Sequence, residues 1–223
     1  MSEWTKNDST TLTDLLTRVR DKGDHFWPLG SHQDLINEIV CLPAAEVALT
    51  RCNPATNKWE VLLQFREFSK EPAWFLPPYN NDDWYLPGGY FQYKPSTLGN
   101  CLYHLGKDLR KEYERAGIVG FDLKSIKLAT PVLIGGRKWM PKDVDSGILY
   151  GEHPIGAPQS NVYVCELIAG EIVETPWLKW TSEPVVTKVP LHTGFIKGVL
   201  FYLNSPPEMK KWMAEMHALI ATG

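Results

Sequence analysis

The sequence has no apolar run long enough to cross a membrane as a helix, and its opening residues, MSEWTKNDST, contain no hydrophobic signal segment. A soluble, cytoplasmic protein with no membrane partner is expected. An excess of charge is also missing. Among 223 residues, 23 Lys and Arg stand against 26 Asp and Glu, a formal net charge of −3. No global basic field therefore speaks for nucleic acid as a partner. Cysteine is scarce and scattered: Cys41, Cys52, Cys101 and Cys165 form no C-x-x-C pair. That argues against a zinc knuckle and a disulfide scaffold, and predicts reduced, packed thiols. The histidines fall at no ligand spacing, and no P-loop, dinucleotide fingerprint or G-x-S-x-G elbow is present. Internal repeats and low-complexity tracts are absent as well.

What the chain does have is material for a core. The hydrophobic fraction is 43%, with nine Trp, ample for one domain carrying an added terminal piece. Residues 1–43 read as a helical extension, with Leu12, Leu15, Leu16 and Val19 on one face and Ser31 as the cap of a second short helix. These helices pack on a sheet edge or make a homodimer contact; the residues leave both open. Residues 44–223 form the main domain. Residues 46–52 and 59–66 are strand-like runs around the turn N-P-A-T-N, hence a hairpin. A Pro-, Asn- and aromatic-rich loop follows over 67–83, in which Trp74 is placed to stack on a ring or to cover apolar surface. Further strands are expected over 121–134, 161–168, 171–174, 177–180 and 185–189. S-P-P-E at 205–208 then opens a C-terminal helix with Met209, Trp212, Met213, Met216, Leu219 and Ile220 as its apolar stripe.

Residues 84–118, WYLPGGYFQYKPSTLGNCLYHLGKDLRKEYERAGI, organise the rest. A strand end leads into the Pro87-Gly88-Gly89 turn, and a helix is expected over 97–116. Leu98, Leu102, Leu105, Leu109, Tyr113 and Ala116 recur at spacings of three and four and define its apolar stripe. Ser96 or Thr97 suits the cap, and Gly117 suits the left-handed residue past the end. Asp108, Lys111, Glu112 and Arg115 are expected on the side that is not buried.

Leu86-Pro87-Gly88-Gly89 followed by a charged helix ending in Gly117-Ile118 resembles the Nudix box, G-x5-E-x7-R-E-U-x-E-E-x-G-U with U aliphatic. Pro95 stands where the first Glu of the box would be. Anchoring on the apolar stripe reads Lys107-Asp108-Leu109-Arg110-Lys111-Glu112 as R-E-U-x-E-E, with about four extra residues before it, roughly one helical turn. Lys107 for Arg and Lys111 for Glu depart from the pattern. Anchoring on Gly117-Ile118 instead makes Glu112 the aliphatic position and Glu114 a box carboxylate.

The resemblance implies an α/β (α+β) fold, a Nudix-like mixed β-sheet sandwiched between helices. It also implies a metal-dependent hydrolase that cleaves a diphosphate linkage in a nucleoside diphosphate derivative. The alternative is a catalytically impaired nucleotide-binding or protein-interaction module on the same fold. Under the hydrolase reading, Asp108 and Glu112 are the catalytic carboxylates. They would hold Mg²⁺ or Mn²⁺ with Gly89 and, in the other alignment, Glu114, and Glu152 or Glu166 would complete the set. Arg66, Arg137, Lys138 and Trp74 would contact a nucleotide-like substrate. The chemistry is consistent: a divalent cation neutralises phosphate oxygens and activates water, and two carboxylates one turn apart lie about 6 Å apart at Cβ.

Overall fold

Side chains alternate along the first strand, and that alternation sets the layers. In the computed structural model, which describes residues 43–67, 82–91, 96–138, 159–187 and 190–222, β1 (Pro43–Asn53) sends Ala45, Val47 and Leu49 to one face of the sheet and Ala48 to the other. Helix α1 (Thr97–Arg115) covers the first face with Cys101, Leu105, Leu109 and Tyr113. Helix α2 (Pro190–Asn204) covers the second with Ile196, Val199, Leu200 and Leu203. The fold is α+β, a mixed eight-stranded sheet between helices, as expected from the sequence.

β2 (Lys58–Arg66) returns antiparallel to β1 through a turn closed by an Asn57 N–H to Asn53 carbonyl bond, with Asn57 at φ +52. β7 (Gln159–Ala169) runs parallel to β1 along its other edge. β5 (Lys127–Leu128) and β6 (Val132–Lys138) pair antiparallel with β7, and β8 (Leu178–Thr181) pairs antiparallel with β2. A third helix, α3 (Pro207–Thr222), follows α2 and packs on β6. No helix among the described residues is long and apolar enough to cross a membrane.

One irregularity positions the site. β1 and β2 stay paired only from Thr50↔Val61 to Asn53↔Lys58. Beyond that they part, and β3 (Asp83–Tyr85) and β4 (Gly88–Tyr90) fill the gap, β3 on β2 and β4 on β1. The register requires this arrangement. Gln64 has Leu178 on one side and Tyr85 on the other, while Glu46 has Val162 on one side and Gly88 on the other. Leu86 and Pro87 cross between the two short strands, and Val47 N–H donates to the Pro87 carbonyl at 2.7 Å. Backbone approaches closely here: a Cβ at Gly88 would run into the Ala45 carbonyl oxygen, and one at Gly89 would lie 2.8 Å from the His104 ring. Gly88→Ala is therefore expected to cost about 2–3 kcal/mol by overpacking. Urea denaturation measures it; an unchanged midpoint would mean that the wedge gives way freely.

Several expectations need correction. Leu98 is 41% exposed, and the buried face of α1 turns towards His104, Asp108 and Glu112. The two acids lie inside rather than on the solvent side, because partners from the sheet and turn meet them there. Ser96 is the cap, its hydroxyl accepting from Gly99 N–H at 3.0 Å, and Gly117 has φ +77. The strand expected over 121–134 is divided by a 3-10 turn, Leu123–Ser125, and continues past Gly135 to Lys138. No strand occurs over 171–174 or 185–187, whereas α2 had no expected counterpart. Cys101 and Cys165 are buried thiols as predicted, but Cys52 is exposed. The N-terminal extension, Trp74 and Glu152 lie outside the described residues.

Candidate functional site

Glu112 is fully buried, so each oxygen needs a partner. Oε1 accepts from the Gln64 side-chain amide at 2.8 Å, and Oε2 accepts from Arg115 Nη1 at 2.6 Å. Lys111 Nζ lies 3.9 Å from Oε1. Arg115 also pairs with Glu67 at 2.7 Å and stacks 4.2 Å from the Trp177 ring centroid. The result is a Gln64–Glu112–Arg115–Glu67 chain that ties α1 to β2.

Asp108, one turn earlier, points to the glycine turn. Its Oδ2 accepts the Gly88 N–H at 2.9 Å. Burial raises its carboxyl from 3.8 to about 6, against the opposing pull of the Gly88 bond and of Lys107, Arg66 and Lys111. Behind Gly88 sits Glu46, whose Oε1 accepts from Ser160 Oγ at 3.3 Å. Burial raises Glu46 from 4.5 to about 7, with Arg66 and Ser160 pulling down and Asp108 adding to the rise. Arg66 stacks 4.3 Å from the Tyr85 ring, whose other neighbour is His192 at 6.0 Å between centroids. Burial, assisted by Arg66, pushes His192 down to about 3 and so holds it neutral; burial also raises the Tyr85 and Tyr90 hydroxyls. The wedge between β1 and β2 thus gathers the polar side chains of Glu46, Arg66, Tyr85, Tyr90, Asp108 and His192, with Tyr85 and Asp108 buried and the others half-buried.

Sequence reasoning singled out Asp108 and Arg66 here but missed Glu46, Gln64, Tyr85, Tyr90 and His192. For two of them a signal existed. Glu46 interrupts the apolar run A-A-E-V-A-L, and Gln64 interrupts V-L-L-Q-F. A polar residue inside a strand buried on both faces is a position that needs a partner.

The outer side of α1 has the opposite sign. Lys107, Arg110 and Lys111, with Tyr103, Leu102, Gly106, Leu123 and Glu114, line an open cavity of about 480 Å³. Glu114 is exposed there, apart from Asp108 and Glu112. Arg137 lies on β6 opposite Ser160 and lines a different cavity, Lys138 closes β6, and Glu166 lies on β7 opposite Thr50.

These donors do not fit Mg²⁺ or Mn²⁺. Such cations take several oxygen ligands and keep waters. Both Glu112 oxygens are engaged by nitrogen donors, and Asp108 Oδ2 accepts from Gly88 N–H. No group of three or more His, Cys, Asp or Glu able to hold a metal occurs among the described residues.

No protein-family model and no curated protein matches the chain. Among solved structures it is similar to the Ap4A hydrolase of C. elegans (12% identity, 63% of this chain and 80% of that chain covered, TM-score 0.37). It is similar also to the NUDIX domain of Shewanella oneidensis NrtR complexed with ADP ribose (14% identity, 74% and 90% covered, TM-score 0.39). A third is the MutT protein from Methanosarcina mazei Go1 (13% identity, 74% and 96% covered, TM-score 0.39). At these identities and scores the likeness is remote.

Proposed function

We propose that the chain is a Nudix-like module that binds a phosphate-bearing, nucleotide-like small molecule without a metal ion and without hydrolysing it. One observation carries this reading: α1 turns Asp108 and Glu112 inward to protein donors, and presents Lys107, Arg110 and Lys111 along an open cavity. Ammonium and guanidinium groups then meet the phosphate oxygens that a divalent cation would otherwise neutralise. Lys107 and Lys111 stand one turn apart, a spacing suited to a diphosphate. Tyr103, one turn before Lys107 on the same wall, offers a ring face for a base.

Titration with ADP-ribose tests the proposal. Binding is expected to be equal in Mg²⁺ and in EDTA and to weaken with salt. Each charge-assisted hydrogen bond contributes about 1.5 kcal/mol, so the double variant Lys107→Glu/Lys111→Glu should bind about a hundredfold more weakly. If ADP-ribose, nucleotide sugars, dinucleoside polyphosphates and nucleoside triphosphates all failed to bind at millimolar concentration, the proposal would fall. Metal-dependent turnover of any of them, abolished by Glu112→Gln, would restore the hydrolase reading that the box resemblance implies.

A further inference from the structure

Glu114 is an acid among cations in the cavity on α1, and its place there is unfavourable in two ways. It stands in the last turn of the helix, where the macrodipole favours a base and disfavours an acid. It also stands without a counter-ion. Arg110 lies four residues before it and Lys111 three, both spacings that allow an ion pair. Yet the side chains of Glu114, Arg110 and Lys107 make no hydrogen bond or ion pair among the described residues. Lys111 leans instead towards Glu112, 3.9 Å away. The three cations in turn repel one another at spacings of three and four. Local rules broken with no compensation inside the chain mark a place that serves a ligand.

Along α1 the cavity presents Tyr103, then Lys107, then Arg110 with Lys111, then Glu114, over about 16 Å of helix. With a base at Tyr103 and two phosphates on the cations, the next group of the ligand meets Glu114. We propose that Glu114 selects that group: it accepts the hydroxyls of a sugar esterified to the outer phosphate, and repels a third phosphate. This rests on the reading of α1 as a phosphate-binding wall, and narrows the ligand from any nucleotide to a diphosphate diester. An ionised carboxylate only accepts, so it suits the O–H donors of a vicinal diol, two at a time. A third phosphate offers only acceptor oxygens and charge of the same sign, and such repulsion is a source of specificity.

Calorimetry of the full chain in EDTA tests this with three ligands. They are ADP-ribose, ATP, and ADP methylated on its outer phosphate, which has the charge of ADP-ribose but no sugar. ADP-ribose is expected to bind about tenfold more tightly than either of the others. Glu114→Gln keeps the size and removes the charge; it should weaken ADP-ribose several-fold and strengthen ATP about tenfold. Glu114 is exposed, so the variant is expected to fold as the wild type does. Glu208→Gln, the same change of charge placed on α3, should alter none of the three. The proposal is overturned if ATP binds the wild type as tightly as ADP-ribose does. It is overturned equally if Glu114→Gln shifts all three ligands alike, as a general charge effect would. Either result leaves the phosphate-binding wall standing and removes only the role of Glu114, whereas no binding by any of the three removes both.

Discussion

Glu112→Ala is expected to lower the stability of the folded chain by about 3 kcal/mol, because it breaks a buried ion pair from one side. The carboxylate is fully buried and satisfies Gln64 and Arg115 together. Its removal strands the Gln64 amide in the core, where that residue's Oε1 already has no hydrogen-bond partner. Arg115 is part-exposed and keeps Glu67 and Trp177, which places the loss at the low end of the range for buried pairs. For a chain of this size that is a fall of about 6–12 °C in Tm. Glu112→Gln preserves the volume and one hydrogen bond and should cost about half as much. A carboxylate poised for a metal ion behaves differently, since unpaired buried acids repel their surroundings and their removal leaves stability level or higher. Thermal unfolding of the two variants in EDTA separates these cases. A Tm unchanged by Glu112→Ala would show that the Gln64–Glu112–Arg115 chain does not brace the fold, and the metal-ligand role would return.

Much of the architecture was legible because it rests on local periodicity and local chemistry. The hairpin around Asn53 and Asn57, the α1 cap at Ser96 and the stop at Gly117 follow from residue types that satisfy turn and cap geometry. α2 went unread even though Ile196, Val199, Leu200 and Leu203 carry a helical stripe. Gly194 and Gly198 and the β-branched Thr193, Ile196 and Val199 lower its propensity, and packing against the second face of the sheet overrides that. The inward turn of Asp108 and Glu112 was illegible for a different reason. Their partners, Gln64 and Gly88, lie 48 and 20 residues away, and only the parting of β1 from β2 brings them under α1. A pattern along one helix identifies which residues share a face. It does not identify which face the sheet will supply with donors.

The polar wedge should make the chain more stable in mild acid than in mild base. Asp108 moves from 3.8 unfolded to about 6 folded, and Glu46 from 4.5 to about 7, both chiefly through burial. A carboxyl whose folded value is raised binds its proton more tightly in the native state, so the native state carries the extra protons. Its contribution is fully present below about pH 4 and is lost as pH rises through the folded values, between about pH 4 and 7. At about 1.4 kcal/mol per unit, Asp108 accounts for about 3 kcal/mol. Glu46, half-buried and coupled to Asp108, adds less than the same again. Arg66 opposes both shifts, together with Ser160 at Glu46 and with the Gly88 N–H and Lys107 at Asp108. The denaturant midpoint is therefore expected to fall from about pH 4 to about pH 7 and to level off above that, and Glu46→Gln/Asp108→Asn should flatten that slope and raise stability at the upper end. Asn at 108 keeps an acceptor for Gly88 N–H, so the turn itself is left in place. A wild-type profile that is level across this window, or a double variant with the same slope, would mean that water reaches these carboxyls and that the split between β1 and β2 is an open cleft.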